Sequence, residues 1–374
     1  MNILLCMDSW KGSLSAVEAC EAVAAGIHSV FADCVVNFVP LADGGEGTLA
    51  LVALAHPGEM QSLQVQGPLS GQQIDAGYLW WPDRQAALME MALCAGLPLL
   101  TESQRNPLLT TTFGVGQWMK DAVEKGAKEI ILTLGGSATV DGGVGMAQAM
   151  GWQFLDDQGN ELEWGGGALI HLAKILPPVK RSEVKVRAMC DVTNPLLGEK
   201  GAATVFGPQK GASPEQVAQL ERGLTRLAEV VARDLGVELR EFPGGGAAGG
   251  MAAGAVAFFD AELVSGVEEV MRISELEERI QEADWVLTGE GRVDSQSLDG
   301  KVLSGVLQAA KSSGAQVAVI AGACQLSDQD IKSAGLKVAL AANEQNLPLD
   351  EAMARAAELA EAAGARFARE QLMA

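Results

Sequence analysis

Gly135-Gly136-Ser137-Ala138-Thr139-Val140-Asp141-Gly142-Gly143 follows an apolar run at 130–134 and precedes a helical pattern at 144–150. A short apolar run that stops at glycines reads as a buried strand. The glycines let the turn take positive φ and approach a ligand closely. A helix starting just after them gathers backbone N–H groups that favour an anion. The carboxylate of Asp141 suits a hard cation such as Mg²⁺. The pattern recurs earlier: 35–39 reads as a strand, and Ala42-Asp43-Gly44-Gly45-Glu46-Gly47-Thr48 follows it. Two Asp-Gly-Gly turns after two strands point to phosphate and metal chemistry at strand ends.

Outward from these turns, strands and helices alternate. Strands are expected at 2–7, 35–39, 130–134, 184–189, 285–288, 317–321 and 337–340, and helices at 15–30, 113–125, 214–234, 301–313 and 349–372. Ser15-x-x-Glu18 is a capping box, and Ser213-Pro214 places serine at an N-cap with proline at the first helical position. Such alternation predicts α/β architecture with mainly parallel sheets, in which ligands bind beyond the carboxyl ends of strands. At 63–66, 74–81 and 87–91 strands follow one another with no helix between them, which is antiparallel character and marks a domain transition. The expected layout is a discontinuous domain, 1–65 plus 285–374, around an inserted domain, 66–284. No fixed-period repeat is visible.

With 374 residues, 48% of them hydrophobic, the chain can build about two domains with large cores. Its net charge of −21 argues against nucleic acid or an anionic membrane surface as partner. An anionic ligand must therefore be met by a few local cations, backbone donors and a metal. Six cysteines without a CxxC pair fit a reducing compartment, hence a cytoplasmic chain. The start reads as a first strand rather than a signal peptide, and no apolar run reaches membrane-span length.

There is no P-loop signature, no zinc spacing among His28, His56 and His171, and no G-x-S-x-G elbow. Gly45-x-Gly47-x-x-Ala50 resembles a dinucleotide fingerprint, but Asp43 and Glu46 flank it and would repel a pyrophosphate unless a metal intervened. Lys11, close to Asp8 at the end of the first strand, is a candidate for phosphate or carboxylate. Asp191 is a candidate general base or metal ligand; the alternative is an Asx-turn before Pro195. Lys210 is a second candidate cation, or else a solvated loop lysine. The small residues at 243–251 permit close approach to a ligand or to a packed neighbour. In Thr288-Gly289-Glu290-Gly291-Arg292-Val293-Asp294, two carboxylates and an arginine among glycines favour function, because a guanidinium fork matches carboxylate and phosphate.

Taken in order, these blocks resemble the glycerate kinases of the type 1 family. The matching stretches are DSWKGSLSA from Asp8, ADGGEGT from Ala42, EMALCAGLPL from Glu90, RNPLLTTTFGVGQ from Arg105 and GGSATVDGGVGM from Gly135. CDVTNPLLG from Cys190, VFGPQKGAS from Val205, PGGGAAGGM from Pro243 and TGEGRVDSQSLDGK from Thr288 complete them. The resemblance implies a discontinuous Rossmann-like domain and an inserted flavodoxin-like domain. It also implies phosphorylation of D-glycerate with ATP and Mg²⁺ to give 2-phosphoglycerate. Val140 departs from the family's usual Asn, Met7 from its usual Pro, and Gly245 stands where Ala is common.

Residue chemistry then assigns expected roles. Gly135, Gly136, Ser137, Thr139 and Gly142 would cradle phosphates, and Asp43 and Asp141 would hold Mg²⁺. Lys11, Lys210 and Arg292 would meet the substrate carboxylate and the transferring phosphoryl group, with Asp8 and Asn194 beside the substrate. Asp191 is the first choice for accepting the hydroxyl proton and Asp294 the second. Three other readings stay open: phosphorylation at the 3-hydroxyl, an NAD-dependent oxidoreductase on a small hydroxy acid, and a nucleotide-binding protein without turnover. Oligomeric state is also open.

Overall fold

In a computed structural model describing residues 1–299 and 301–373, the strands follow in chain order. They are β1 (Asn2–Met7), β2 (Val35–Phe38), β3 (Glu59–Gln66), β4 (Gln73–Trp81), β5 (Ala86–Glu90), β6 (Glu129–Thr133), β7 (Gln153–Leu155) and β8 (Lys174–Leu176). Then come β9 (Lys185–Met189), β10 (Glu262–Val264), β11 (Trp285–Gly289), β12 (Arg292–Val293), β13 (Gln316–Ala321), β14 (Ala323–Cys324) and β15 (Val338–Ala341). Gly300 of the last family-like block and Ala374, both within the expected 285–374 segment, lie outside the described residues. The chain is mixed α/β with parallel sheets and divides into two units.

Unit 1 comprises Met1–Asp43, Ala50–Pro57 and the chain from Val267 onward. Its sheet runs β15-β13-β11-β1-β2, every pair parallel. Renumbered within the unit, this is the doubly wound order 2-1-3-4-5, whose direction reverses between β1 and β11. The strands are apolar along most of their length because both faces are covered. On one face Ile3, Leu5, Met7, Leu287 and Ile320 pack against the helices Ala16–Val30 and Ala356–Phe367. Those helices meet backbone to backbone: a Cβ on Gly26 would fall 1.9 Å from the Glu361 carbonyl oxygen, and one on Gly364 2.2 Å from that of Val23. The Ser15 capping box is present, with the Glu18 N–H donating to Ser15 Oγ at 3.2 Å. The single helix expected at 349–372 is instead broken at Arg355 (φ −108°, ψ 17°) into Leu349–Ala354 and Ala356–Phe367, followed by a π turn. No glycine or proline marks this break.

Unit 2 comprises Gly44–Leu49 and Gly58–Gly266. Its sheet runs β10-β9-β6-β5-β4-β3. The β3–β4–β5 part is antiparallel, as the absence of intervening helices predicts, and β5, β6, β9 and β10 are parallel. One core packs Met89, Trp118, Leu132 and Met251 against this sheet. A second gathers Val140, Phe154, Leu224 and Phe258 with the Pro214–Leu235 helix.

Candidate active site

In unit 1 the strands on either side of the sheet's reversal carry the charged loops. The Asp8 N–H donates to the Gly289 carbonyl at 2.9 Å, tying the end of β1 to the end of β11. Asp8 Oδ1 accepts the Ser9 N–H at 2.6 Å. Burial pushes the Asp8 carboxyl up, the Ser9 hydrogen bond opposes this, Asp43 raises it further and Lys11 lowers it. Burial also raises Glu290, with Ser297 and Lys11 opposing and with Asp8 and Asp294 adding to the rise. Asp8 thus senses Asp43 and Lys11, and Glu290 senses Asp8, Lys11 and Asp294. Arg292 is 64% exposed; one of its terminal nitrogens donates to Gln325 Oε1 at 2.9 Å, and its Nε lies 3.9 Å from Asp294 Oδ2. Asp294 Oδ1 accepts the N–H groups of Gln296 and Ser297, so Asp294 closes a local turn. A cavity of about 360 Å³ opens beside these loops.

In unit 2 the carboxyl ends of the neighbouring strands β5, β6 and β9 carry Glu90, the Gly135–Gly143 turn and Asp191. A Cβ on Gly135 would meet Gly45 Cα at 2.7 Å, so the two glycine turns of the sequence touch. Asp141 is buried, and its carboxylate accepts from Thr112 N–H and Oγ1–H at 2.8 Å each, from Gly143 N–H at 3.1 Å and from Gly145 N–H at 3.3 Å. The anion at the start of the Val144–Ala149 helix is therefore this side chain itself. Burial raises its pKa and the four donors oppose the rise.

Lys210 is 2% exposed, so the solvated-loop reading fails. Its ammonium donates to Ser137 Oγ at 2.6 Å and to the Thr139 carbonyl at 2.7 Å. Burial lowers its pKa to about 7, against an upward pull from Asp141. Thr139 is buried, and the Gly142 N–H donates to the Gly249 carbonyl at 3.1 Å. The small-residue run at 243–251 packs against this turn: a Cβ on Gly249 would come 1.9 Å from the Thr139 carbonyl oxygen. Val140 is fully buried in the second core, so its side chain is no ligand. Asp191 Oδ1 accepts the Gly266 N–H at 3.2 Å. Asn194 Nδ2 donates to the Lys200 carbonyl at 2.8 Å.

Three residues near these loops were given no role by the sequence reading: Glu90, Thr112 and Trp10; Glu290 was marked only as one of two carboxylates favouring function. Glu90 is 3% exposed and accepts the Gly47 N–H at 2.8 Å and the Leu49 N–H at 2.9 Å. A carboxylate ending an apolar strand was the available signal. Because Gly47 and Leu49 donate to Glu90, they do not offer themselves to a pyrophosphate, and the dinucleotide reading of that turn loses its donors. Thr112 stands in a fully buried Thr110-Thr111-Thr112 run, itself an oddity.

Whether Mg²⁺ suits these residues can be judged from the donors. Among the described residues, no three or more His, Cys, Asp or Glu side chains form a group that could hold a metal. Mg²⁺ needs less protein than that, since one or two carboxylates plus phosphate oxygens serve it. The carboxylates of Asp8 and Glu290, whose charge burial and neighbours disfavour, are of the kind a cation would relieve. Asp141 is already filled with four donors.

Residues 3–372 match the model of the glycerate kinase family. The chain belongs to that family. It is 42% identical to a glycerate kinase of Halalkalibacterium halodurans over 98% of this chain and 97% of that one. It is 44% identical to the glycerate 2-kinase of Escherichia coli K12 over 86% and 85% respectively. The crystal structure of a glycerate kinase 2 from Salmonella typhimurium LT2 superposes with a TM-score of 0.85 at 40% identity, covering 100% of this chain and 98% of that one. These family relatives are phosphotransferases, and the oxidoreductase reading finds no match among them.

Proposed function

We propose that this chain transfers the γ-phosphoryl group of ATP to the 2-hydroxyl of D-glycerate, forming 2-phospho-D-glycerate and ADP. The observation that carries this beyond family membership is the cluster at the ends of β1 and β11. There Lys11, one of few cations in a chain of net charge −21, acts on Asp8 and Glu290, Asp43 acts on Asp8, and Arg292 lines the same cavity as Lys11 and Glu290. Cations there can meet phosphate, and carboxylates can hold the metal that phosphate requires. Phosphoryl transfer asks mainly for positioning and charge stabilisation.

Mg²⁺ would be held by Asp43 with Asp8 or Glu290; when bound it neutralises charge on the phosphate oxygens. Asp141 then serves chiefly to fix the glycine turn, although it began as a second metal candidate. Gly135, Gly136 and Ser137 remain the phosphate contacts we favour in that turn. Thr139 and Gly142 act through its shape, and Lys210 holds Ser137 in place. Asp191, with Asn194 nearby, is our choice for accepting the glycerate hydroxyl proton as that oxygen bonds to the γ-phosphorus and the bond to the β-phosphate oxygen breaks. Asp294, engaged in its own turn, is second.

We take the two units as the two domains, with transitions after 43, 49, 57 and 266 rather than at 65 and 285. The 2-1-3-4-5 order supports the flavodoxin-like label for unit 1 rather than for the insertion. An ATP-dependent reaction suits the cytoplasm, and no described helix is long and apolar enough to cross a membrane.

³¹P NMR of the purified protein with MgATP and D-glycerate tests the reading. A 2-phosphoglycerate resonance is expected. A 3-phosphoglycerate resonance would reverse the hydroxyl, and intact ATP with no new signal would overturn the proposal.

A further inference from the structure

We infer that the cavity of unit 1 receives the purine nucleoside of ATP, with its phosphates directed toward Lys11 and Arg292. This rests on the kinase reading and assigns a place that the family name does not. The cavity is lined by the loops after β1 and β11, which flank the reversal of the unit 1 sheet, and it runs on past the ends of β13 and β15 at Gly322 and Ala342. In open parallel sheets that reversal leaves a crevice at the carboxyl ends of the strands, which ligands occupy.

The lining is two-sided. Trp10, Leu349 and Met353 form an apolar part, with the small side chains of Ala352 and Ala356 leaving room between them. Lys11, Arg292 and Glu290 form a charged part. A nucleoside triphosphate divides in the same way, into an aromatic base and an anionic tail. Glu290 opposes that tail unless the metal lies beside it, as the proposed Mg²⁺ would. The volume of about 360 Å³ falls in the ~300–1,000 Å³ range of small-molecule sites.

Two further observations point to a ligand at this wall. Leu349 leaves 73% of its surface in contact with water although it opens a helix beside apolar neighbours. Trp10 is 2% exposed, and its Nε1–H has no hydrogen-bond partner among the described residues, at the wall of the same cavity. A buried N–H without an acceptor is costly, and purine nitrogens and ribose oxygens are acceptors. D-Glycerate is a poor match for these walls, because it is small and polar throughout and would leave the leucine uncovered and in water.

The experiment fills the cavity. Ala352→Phe is made in the full chain, and binding of MgADP and of magnesium tripolyphosphate is measured by calorimetry, with the KM for D-glycerate alongside. The inference expects MgADP binding to weaken by about tenfold or more, with tripolyphosphate affinity and the glycerate KM unchanged. Leu349→Ser is a milder second variant at an exposed position, expected to weaken MgADP in the same direction should Ala352→Phe not fold. Unchanged MgADP affinity in a folded Ala352→Phe protein overturns the inference. So does a rise in the glycerate KM without loss of MgADP, which would give the cavity to the acceptor. Failure of the kinase reading looks different: MgADP would bind in the cavity and yet no phosphoglycerate would form.

Discussion

Lys210 is the residue whose surroundings change its chemistry most. A lysine with an ordinary pKa of 10.5 is brought to about 7 by burial. The unfolded chain therefore holds that proton to higher pH than the folded one. Between about 7 and 10.5 the unfolded state binds more protons, so this group makes stability rise with pH, whereas below about 7 both states are protonated and its cost is constant. Urea melts at pH 7 and at pH 9.5 should show the wild type gaining stability over that interval relative to Lys210→Met; parallel behaviour of the two proteins would rule this out. Asp191 is the residue on which the chemistry is staked. Asp191→Asn preserves an acceptor for the Gly266 N–H yet removes the base, so kcat should drop by roughly 10²–10⁴-fold while KM changes little. Near-normal turnover would pass the role to Asp294. Sequence reading named both residues but missed Lys210's burial, because nothing local to a Gly-Pro-Gln-Lys-Gly stretch shows that Ser137, far along the chain, is its partner.

At the scale of elements, what was legible was what is local. The capping boxes at Ser15 and Ser213 lie within four residues each, and both helices start where the sequence puts them. The antiparallel β3–β4–β5 segment was legible from the missing helices. By contrast, Glu90 caps amides 41 and 43 residues away, and no periodicity reports such a pairing. The break at Arg355 escaped for a related reason: its flanks are alanine-rich and helix-forming on both sides. The close crossing of Ala16–Val30 with Ala356–Phe367 gives the element-level prediction. Gly26→Ala would force the helices apart, since the added carbon would overlap the Glu361 carbonyl. Overpacking of this kind costs about 1–3 kcal/mol, which should appear as a lowered Tm and urea midpoint. Ala at Gly314, where a Cβ meets nothing within 4 Å, serves as the control and should leave both unchanged.

At the scale of the whole molecule, the chain's unequal division decides which part can stand alone. Unit 2 is close to one continuous stretch, whereas unit 1 is assembled from three segments. A fragment spanning 44–266 is expected to melt cooperatively by circular dichroism, with its Trp118 core intact; a non-cooperative melt would show that unit 2 depends on the rest. The α/β class with parallel sheets could be seen in the alternation of strands and helices. The candidate site could be seen only as separate loops, because charge and glycine content mark each loop whereas burial and long-range acceptors decide what each one does. The helix that begins at Val144 makes the point differently. Its positive end already holds a carboxylate on a leash two residues long. A free sulfate or phosphate arriving from solution would have to outcompete a tethered rival, whose local concentration is at least on the order of millimolar. Simple oxyanions are therefore poor decoys for this helix end, and an inhibitor aimed at it should gain its grip elsewhere.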